Sequence, residues 1–142
     1  QAIEEADAIV IGPGDLYTSI IPNLLVEGVT DAIQRSKGQR IYVCNLMTKR
    51  AESDGFKVSD FIREVQSYLG SRSLPEHAIV NSEPFPEKIT QRYAREGSAP
   101  VFYDEEECHE LVPNVVAVPL IAVGNFVRHD TVRIADAILS VL

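Results

Sequence analysis

The chain has 142 residues, 45% apolar and 24% charged, the balance of an ordinary globular protein long enough to bury a core. Its net charge of −8, with no basic stripe, argues against nucleic acid as a partner, because that binding rests on cation-to-phosphate contacts. No apolar run approaches the ~20 residues of a membrane span, no signal peptide is visible, and Cys44 and Cys108 are too few for a disulfide scaffold, so a reduced, cytoplasmic protein with no membrane contact is expected.

The chain begins at Gln1, and Ile3-Glu4-Glu5-Ala6 reads as the tail of a helix, which predicts an excerpt of a longer chain or a processed product. Five short apolar runs bounded by turn signals then predict strands: Ala8-Ile9-Val10-Ile11, Arg40-Ile41-Tyr42-Val43-Cys44, Ala78-Ile79-Val80-Asn81, Pro100-Val101-Phe102-Tyr103 and Val115-Val116-Ala117-Val118. The first is almost continuously apolar, as a parallel strand covered on both faces should be. Helical spacing lies between them. Val26, Val29 and Ile33 form one stretch, stopped at Gly38. Val58, Phe61, Ile62, Val65 and Leu69 form the next, with Ser59 or Asp60 near its start and Gly70 after its end. Ile89, Tyr93 and Ala94 follow, entered through Pro86 and closed by Gly97. The acidic stretch 104–110 reads as a short helix or turn, and Val132, Ala135, Ile138, Leu139 and Leu142 as a last helix capped by Asp130.

Alternation of strand and helix implies right-handed crossovers and a parallel sheet. The predicted fold is α/β, a Rossmann-like three-layer sandwich with a mostly parallel sheet, over a single region 1–142 that forms part of a larger domain. Such a sheet gathers the loops that follow its strands on one edge, where ligands bind. That edge is rich in hydrogen-bonding groups: 12–19, 45–55, 81–84, Asp104, and 119–129 with Asn125 and Arg128. The opposite edge is mainly punctuation.

The first loop, Gly12-Pro13-Gly14-Asp15-Leu16-Tyr17-Thr18-Ser19, carries the sharpest signal. Its glycines let backbone N–H groups approach a ligand, and Thr18 and Ser19 add hydroxyls ahead of a helix expected to start near Pro22. A tight turn without any ligand would use the same residues. The dinucleotide and P-loop fingerprints are both absent, since Tyr17 stands where a third glycine would and no Gly-Lys-Ser/Thr follows. Asp15 would repel phosphate; a metal ion, a ribose hydroxyl or a backbone N–H are its alternatives. In the long second loop, Asn45 and Thr48 can read a base or sugar, and Glu52 and Asp54 can accept hydroxyls or hold magnesium through water; a solvated loop with local turns is the competing reading. Cys108-His109 is read as a solvated helix face, His77 and His129 as capping or surface groups, and Arg92 as a surface ion-pair residue. No Ser-His-Asp or Cys-His arrangement can be assembled from the sequence.

The run from Val10 through Gly12-Pro13-Gly14-Asp15-Leu16-Tyr17-Thr18-Ser19-Ile20-Ile21-Pro22-Asn23 to Val26 closely resembles the signature of the CofD-like superfamily, in its YvcK or gluconeogenesis-factor branch. Tyr42-Val43-Cys44-Asn45-Leu46-Met47-Thr48, Glu52, Asp54-Gly55, Arg92-Tyr93 before Gly97, and Val127-Arg128-His129-Asp130 agree with it. The resemblance implies a Rossmann-like fold and a cytoplasmic, nucleotide-sugar-binding regulator, with a UDP-sugar as the expected ligand. Such regulators are linked to central carbon metabolism, cell-wall synthesis and cell shape. The alternative it implies is a transferase moving a phospholactyl-type or phosphoenolpyruvyl-type group from a nucleotide donor, which would call for magnesium. It places ligand contacts at Gly12, Gly14, Asp15, Tyr17, Thr18, Ser19, Asn45, Thr48, Glu52, Asp54 and Phe56, with Arg92 as a further candidate. The chain departs from the family pattern in having Asp15 for a serine, Lys49-Arg50-Ala51-Glu52-Ser53 for Gln-Pro-Gly-Glu-Thr, and Phe56 for a tyrosine. The apolar ending Ile138-Leu139-Ser140-Val141-Leu142 leaves a homo-oligomer open.

Overall fold

A computed structural model describes residues 1–70, 74–124 and 126–142. Four strands, β1 (Ala8–Ile11), β2 (Gln39–Val43), β3 (His77–Asn81) and β4 (Asn114–Val118), form one sheet in the order β1-β2-β3-β4. Every pairing is parallel, running from Ala8 opposite Gln39, through Ile41 opposite His77, to Asn81 opposite Val118. The strands are short, but both faces are covered, and successive side chains serve opposite faces. Tyr42, Cys44, Ala78 and Val80 face one core with Phe61, Ile62 and Val65; Ile41, Val43 and Ile79 face the other with Leu120 and Ala137. A helix layer lies on each side, as the three-layer expectation requires.

Helix α1 (Ala2–Glu5) precedes the sheet, and a π-helical turn, Leu16–Ile20, leads directly into α2 (Ile21–Leu24). The helix expected near Pro22 therefore starts earlier, and Thr18 and Ser19 lie within its first turn rather than before it. Its start is set by the Ser19 and Ile20 N–H groups, which both donate to the Asp15 carbonyl, at 2.9 and 3.0 Å. Helices α3 (Val29–Arg35) and α4 (Val58–Leu69) complete the first two crossovers. In α4 the apolar residues recur every three or four positions and are buried, and Gly70 leaves it at φ +76°. Helices α5 (Glu87–Arg95) and α6 (Glu105–Leu111) fill the third crossover, and α7 (Thr131–Leu139) closes the chain. Asp130 caps α7 as expected, its Oδ1 accepting the N–H groups of Val132 and Arg133 at 3.0 and 3.2 Å.

The structure corrects four further expectations. Residues 100–103 are not a strand of the sheet. Their backbone bonds instead to the loop after β2 and to α4: Val101 N–H donates to the Leu46 carbonyl at 2.9 Å, and Val58 N–H to the Phe102 carbonyl at 3.0 Å. Phe102 is left 65% exposed, so apolarity there did not mean a place between strands. Conversely, part of the expected loop 119–129 is a small antiparallel hairpin, β5 (Ile121–Val123) with β6 (Val127–His129). Cys108 is fully buried rather than on a solvated face, because α6 packs that side against α4. His129 is partly buried as well, and its Nε2 donates to the Cys44 carbonyl at 3.0 Å, so it is a cross-link between β6 and the end of β2. Among the described residues, no helix is long and apolar enough to cross a membrane.

Candidate functional site

The loops after β1 and β2 meet because the ends of those strands are unusually close. Gly12 adopts φ +87°, and a Cβ there would lie 2.7 Å from the Val43 carbonyl oxygen, a distance no side chain tolerates. The chain then turns through Pro13 and Gly14 over the carboxyl end of the sheet. The hairpin reaches the same place from the other side, held by His129 on Cys44 and by the Tyr93 hydroxyl, which accepts the Val127 N–H at 3.1 Å.

Between them lies a cavity of 280 Å³, lined by Pro13, Gly14, Asp15, Asn45, Leu46, Met47, Tyr93, Val127, Arg128 and His129. Three of the residues expected to contact ligand, Gly14, Asp15 and Asn45, stand in its wall. The Asn45 Oδ1 is shut off from solvent and has no hydrogen-bond partner among the described residues. Burial holds the His129 imidazole below its usual pKa, against the opposing pull of the Cys44 carbonyl. Arg128 is exposed at the mouth and has no ion pair among the described residues. A second, more apolar cavity of 480 Å³ opens at the end of β3, between 81–85 and 100–103.

The other expected residues have different surroundings. Gly12 and Ser19 line a separate cavity of 450 Å³ beside β1, with Ile9, Ile20 and Leu24. Tyr17 turns toward α4, where burial and a hydrogen bond with Glu64 push its hydroxyl up to about 12. Thr18 Oγ1 accepts from Lys49 Nζ at 3.3 Å. Thr48 is buried, and its hydroxyl accepts the Ala99 N–H at 2.9 Å, pinning the extended segment 100–103 to the second loop. Asp54 accepts the Ala51 N–H at 2.8 Å, closing a local turn in which Ala51 takes φ +64°. Phe56 packs edge-on against Phe61, with ring centres 5.4 Å apart. Arg92 lies over the Phe126 ring at 4.8 Å. Asn125 lies outside the described residues.

Lys49 is the residue around which the acidic groups gather. Its Nζ is 2.7 Å from Asp15 Oδ2 and 2.6 Å from Glu52 Oε1, and both partners raise its pKa. Glu52 Oε2 is buried with no partner among the described residues. These carboxylates do not fit magnesium as they stand: two converge on an ammonium, and that of Asp54 closes its own turn. Among the described residues, no three His, Cys, Asp or Glu side chains converge as metal ligands.

Sequence reasoning placed Arg128 and His129 on the ligand-binding edge without naming them as contacts, and gave no site role to Lys49 or Tyr93. Charge complementarity with Asp15 was the available signal for Lys49. The other three come together only through the hairpin, whose three-residue strands are too short to announce themselves by alternation.

A family model described as 2-phospho-L-lactate transferase CofD matches residues 1–121, from before β1 through the start of the hairpin. The chain belongs to the CofD family. Its relatives in the family include a Thermotoga maritima protein provisionally named a gluconeogenesis factor, 44% identical over 97% of this chain and 45% of that protein. A Halalkalibacterium halodurans protein named gluconeogenesis factor is 36% identical over 98% of this chain and 43% of its own length. A Bacillus halodurans crystal structure superposes with a TM-score of 0.93 at 36% identity, covering 97% of this chain and 44% of that one. The chain thus spans less than half the length of the curated relatives it matches.

Proposed function

We propose that this region forms part of a nucleotide-sugar-binding regulator, with a UDP-sugar as ligand and a role in central carbon metabolism, cell-wall synthesis and cell shape. The observation that carries the reading is the 280 Å³ cavity on the carboxyl edge of a parallel sheet, where glycine-loop backbone, an unpartnered amide and an unpaired guanidinium converge among the described residues. Such edges are where α/β sheets take nucleotides. A guanidinium offers five N–H donors in a plane suited to phosphate, and an amide can meet a sugar or base. The two thiols are buried, and burial raises the pKa of each, so neither is a ready nucleophile. Titration calorimetry of the full-length protein with UDP-N-acetylglucosamine tests the reading: saturable heat supports it, and none at millimolar ligand sinks it.

The family model itself favours a second reading, a transferase that moves a phospholactyl-type or phosphoenolpyruvyl-type group from a nucleotide donor. Phosphoryl-type transfer needs positioning and charge neutralisation more than a covalent nucleophile. Magnesium-dependent release of a nucleoside monophosphate, in the presence of an acceptor, would establish it.

A further inference from the structure

We infer that Asp15, backed by Lys49, recognises hydroxyl groups of the ligand, and that the ligand's phosphate sits across the cavity at Arg128. The inference rests on the nucleotide-sugar reading and gives the ligand a direction in the cleft.

The charges in the cavity wall decide that direction. Asp15 and Arg128 both line it, and Lys49 does not. Lys49 stands behind Asp15, and its ammonium has three hydrogens for three acceptors: Asp15 at 2.7 Å, Glu52 at 2.6 Å and Thr18 at 3.3 Å. No donor remains on it for a phosphate. An ionised phosphate brings only acceptors and negative charge, so a carboxylate in the wall is the wrong neighbour for it. Arg128, with no ion pair among the described residues, is the right one.

A carboxylate accepts from hydroxyls, and adjacent sugar hydroxyls are well placed to donate to its two oxygens. Acidic side chains play this part toward ribose in dinucleotide-binding sheets. Asp15 Oδ2 is held by Lys49, and Oδ1 has no hydrogen bond among the described residues. Asn45 lines the same wall, its amide makes no side-chain hydrogen bond among the described residues either, and its Oδ1 is turned away from solvent. Its terminal torsion is soft, so it can turn to meet a donor. Two acceptors together suit a ligand end rich in O–H or N–H groups. Lys49 is then a positioning residue, which fixes the carboxylate without touching ligand.

The test is calorimetry on the full-length protein with two probes, UDP-N-acetylglucosamine and inorganic pyrophosphate, which has no sugar hydroxyl. Asp15→Ala and Asp15→Asn should weaken the nucleotide sugar by about tenfold or more, the scale of a lost charge-assisted hydrogen bond. Neither should weaken pyrophosphate, whereas Arg128→Met should. Lys49→Met should reproduce the Asp15 loss, and Lys49→Arg should restore affinity. Tighter or unchanged nucleotide-sugar binding by both Asp15 variants overturns the inference, as does pyrophosphate binding that is absent from the wild type or lost with Asp15. A wild type silent toward the nucleotide sugar overturns the underlying reading together with the inference. A wild type that binds it while both Asp15 variants bind equally well overturns the inference alone.

Discussion

Lys49 Nζ lies 2.7 Å from Asp15 Oδ2, and this ion pair ties the loop after β1 to the loop after β2. At both positions the sequence resemblance led to another expectation, serine in place of Asp15 and glutamine in place of Lys49. The structure makes the two departures complementary, an acid met by a base. A double-mutant cycle on Asp15→Ser and Lys49→Gln should therefore show coupling in nucleotide-sugar affinity, the second substitution costing little once the first is made. Both side chains are close to half exposed, so melting temperatures should stay near wild type across the cycle. Additive effects on affinity would contradict the pairing.

Asp104 is the buried counterpart. Its carboxylate accepts the Ser59 N–H at 3.0 Å and the Ser59 hydroxyl at 2.5 Å, binding the start of α6 to the first turn of α4. Burial raises its pKa, but the Ser59 hydrogen bonds outweigh that and hold it below the usual carboxylate range. Asp104→Ala should cost about 1–3 kcal/mol, because it leaves buried donors unpaired. The native group binds its proton less readily than the unfolded one, so its stabilisation is present above the unfolded pKa of about 4 and fades as pH falls through the lower native value. Denaturant titrations should show the wild type losing more stability than Asp104→Ala as pH falls below about 4.

Gly12→Ala should be among the most damaging small substitutions. It adds a Cβ 2.7 Å from a backbone oxygen at a φ of +87°, so both space and backbone oppose it. A loss of about 1–3 kcal/mol is expected from the backbone conformation alone, and thermal unfolding measures it. A melting temperature equal to wild type would show that the two strand ends are not so close.

Tyr93→Phe removes the acceptor for the Val127 N–H while keeping the ring. About 1 kcal/mol of local anchoring should go with it. Amide exchange at Val127 should quicken while exchange in β2 and β3 stays slow. Unchanged protection at Val127 would mean that the hairpin is held by other contacts.

Both thiols should be unreactive in the folded protein. Burial pushes the Cys44 thiol far up, and burial with the nearby Asp104 carboxylate pushes Cys108 up to about 12. A thiol reagent at pH 8 should label neither until denaturant is added, and then both. Rapid labelling of either in the native state would contradict its burial.

The sheet and its helices were readable because their signals are local. An apolar run marks β1, three-and-four spacing marks α4, and Asp130 ahead of an apolar face marks α7. The errors came where the partner is distant in sequence. Pro100 to Tyr103 has strand composition, but only the fold reveals that its hydrogen bonds go to Leu46 and Val58 rather than to a strand of the sheet. Cys108 sits among glutamates, and its burial depends on α4, some forty residues earlier in the chain. The site divides in the same way. Gly14, Asp15 and Asn45 follow directly from the loops after the first two strands and Arg128 from the loop after the last, whereas Tyr93 enters only once the hairpin folds back.

The measurement that tests the account most directly is the electron density of a full-length crystal soaked with UDP-N-acetylglucosamine. The account predicts density in the cavity between Gly14, Asn45 and Arg128, with phosphate against Arg128 and hydroxyls toward Asp15. Phosphate density on Asp15, or ligand bound elsewhere with this cavity empty, would contradict it.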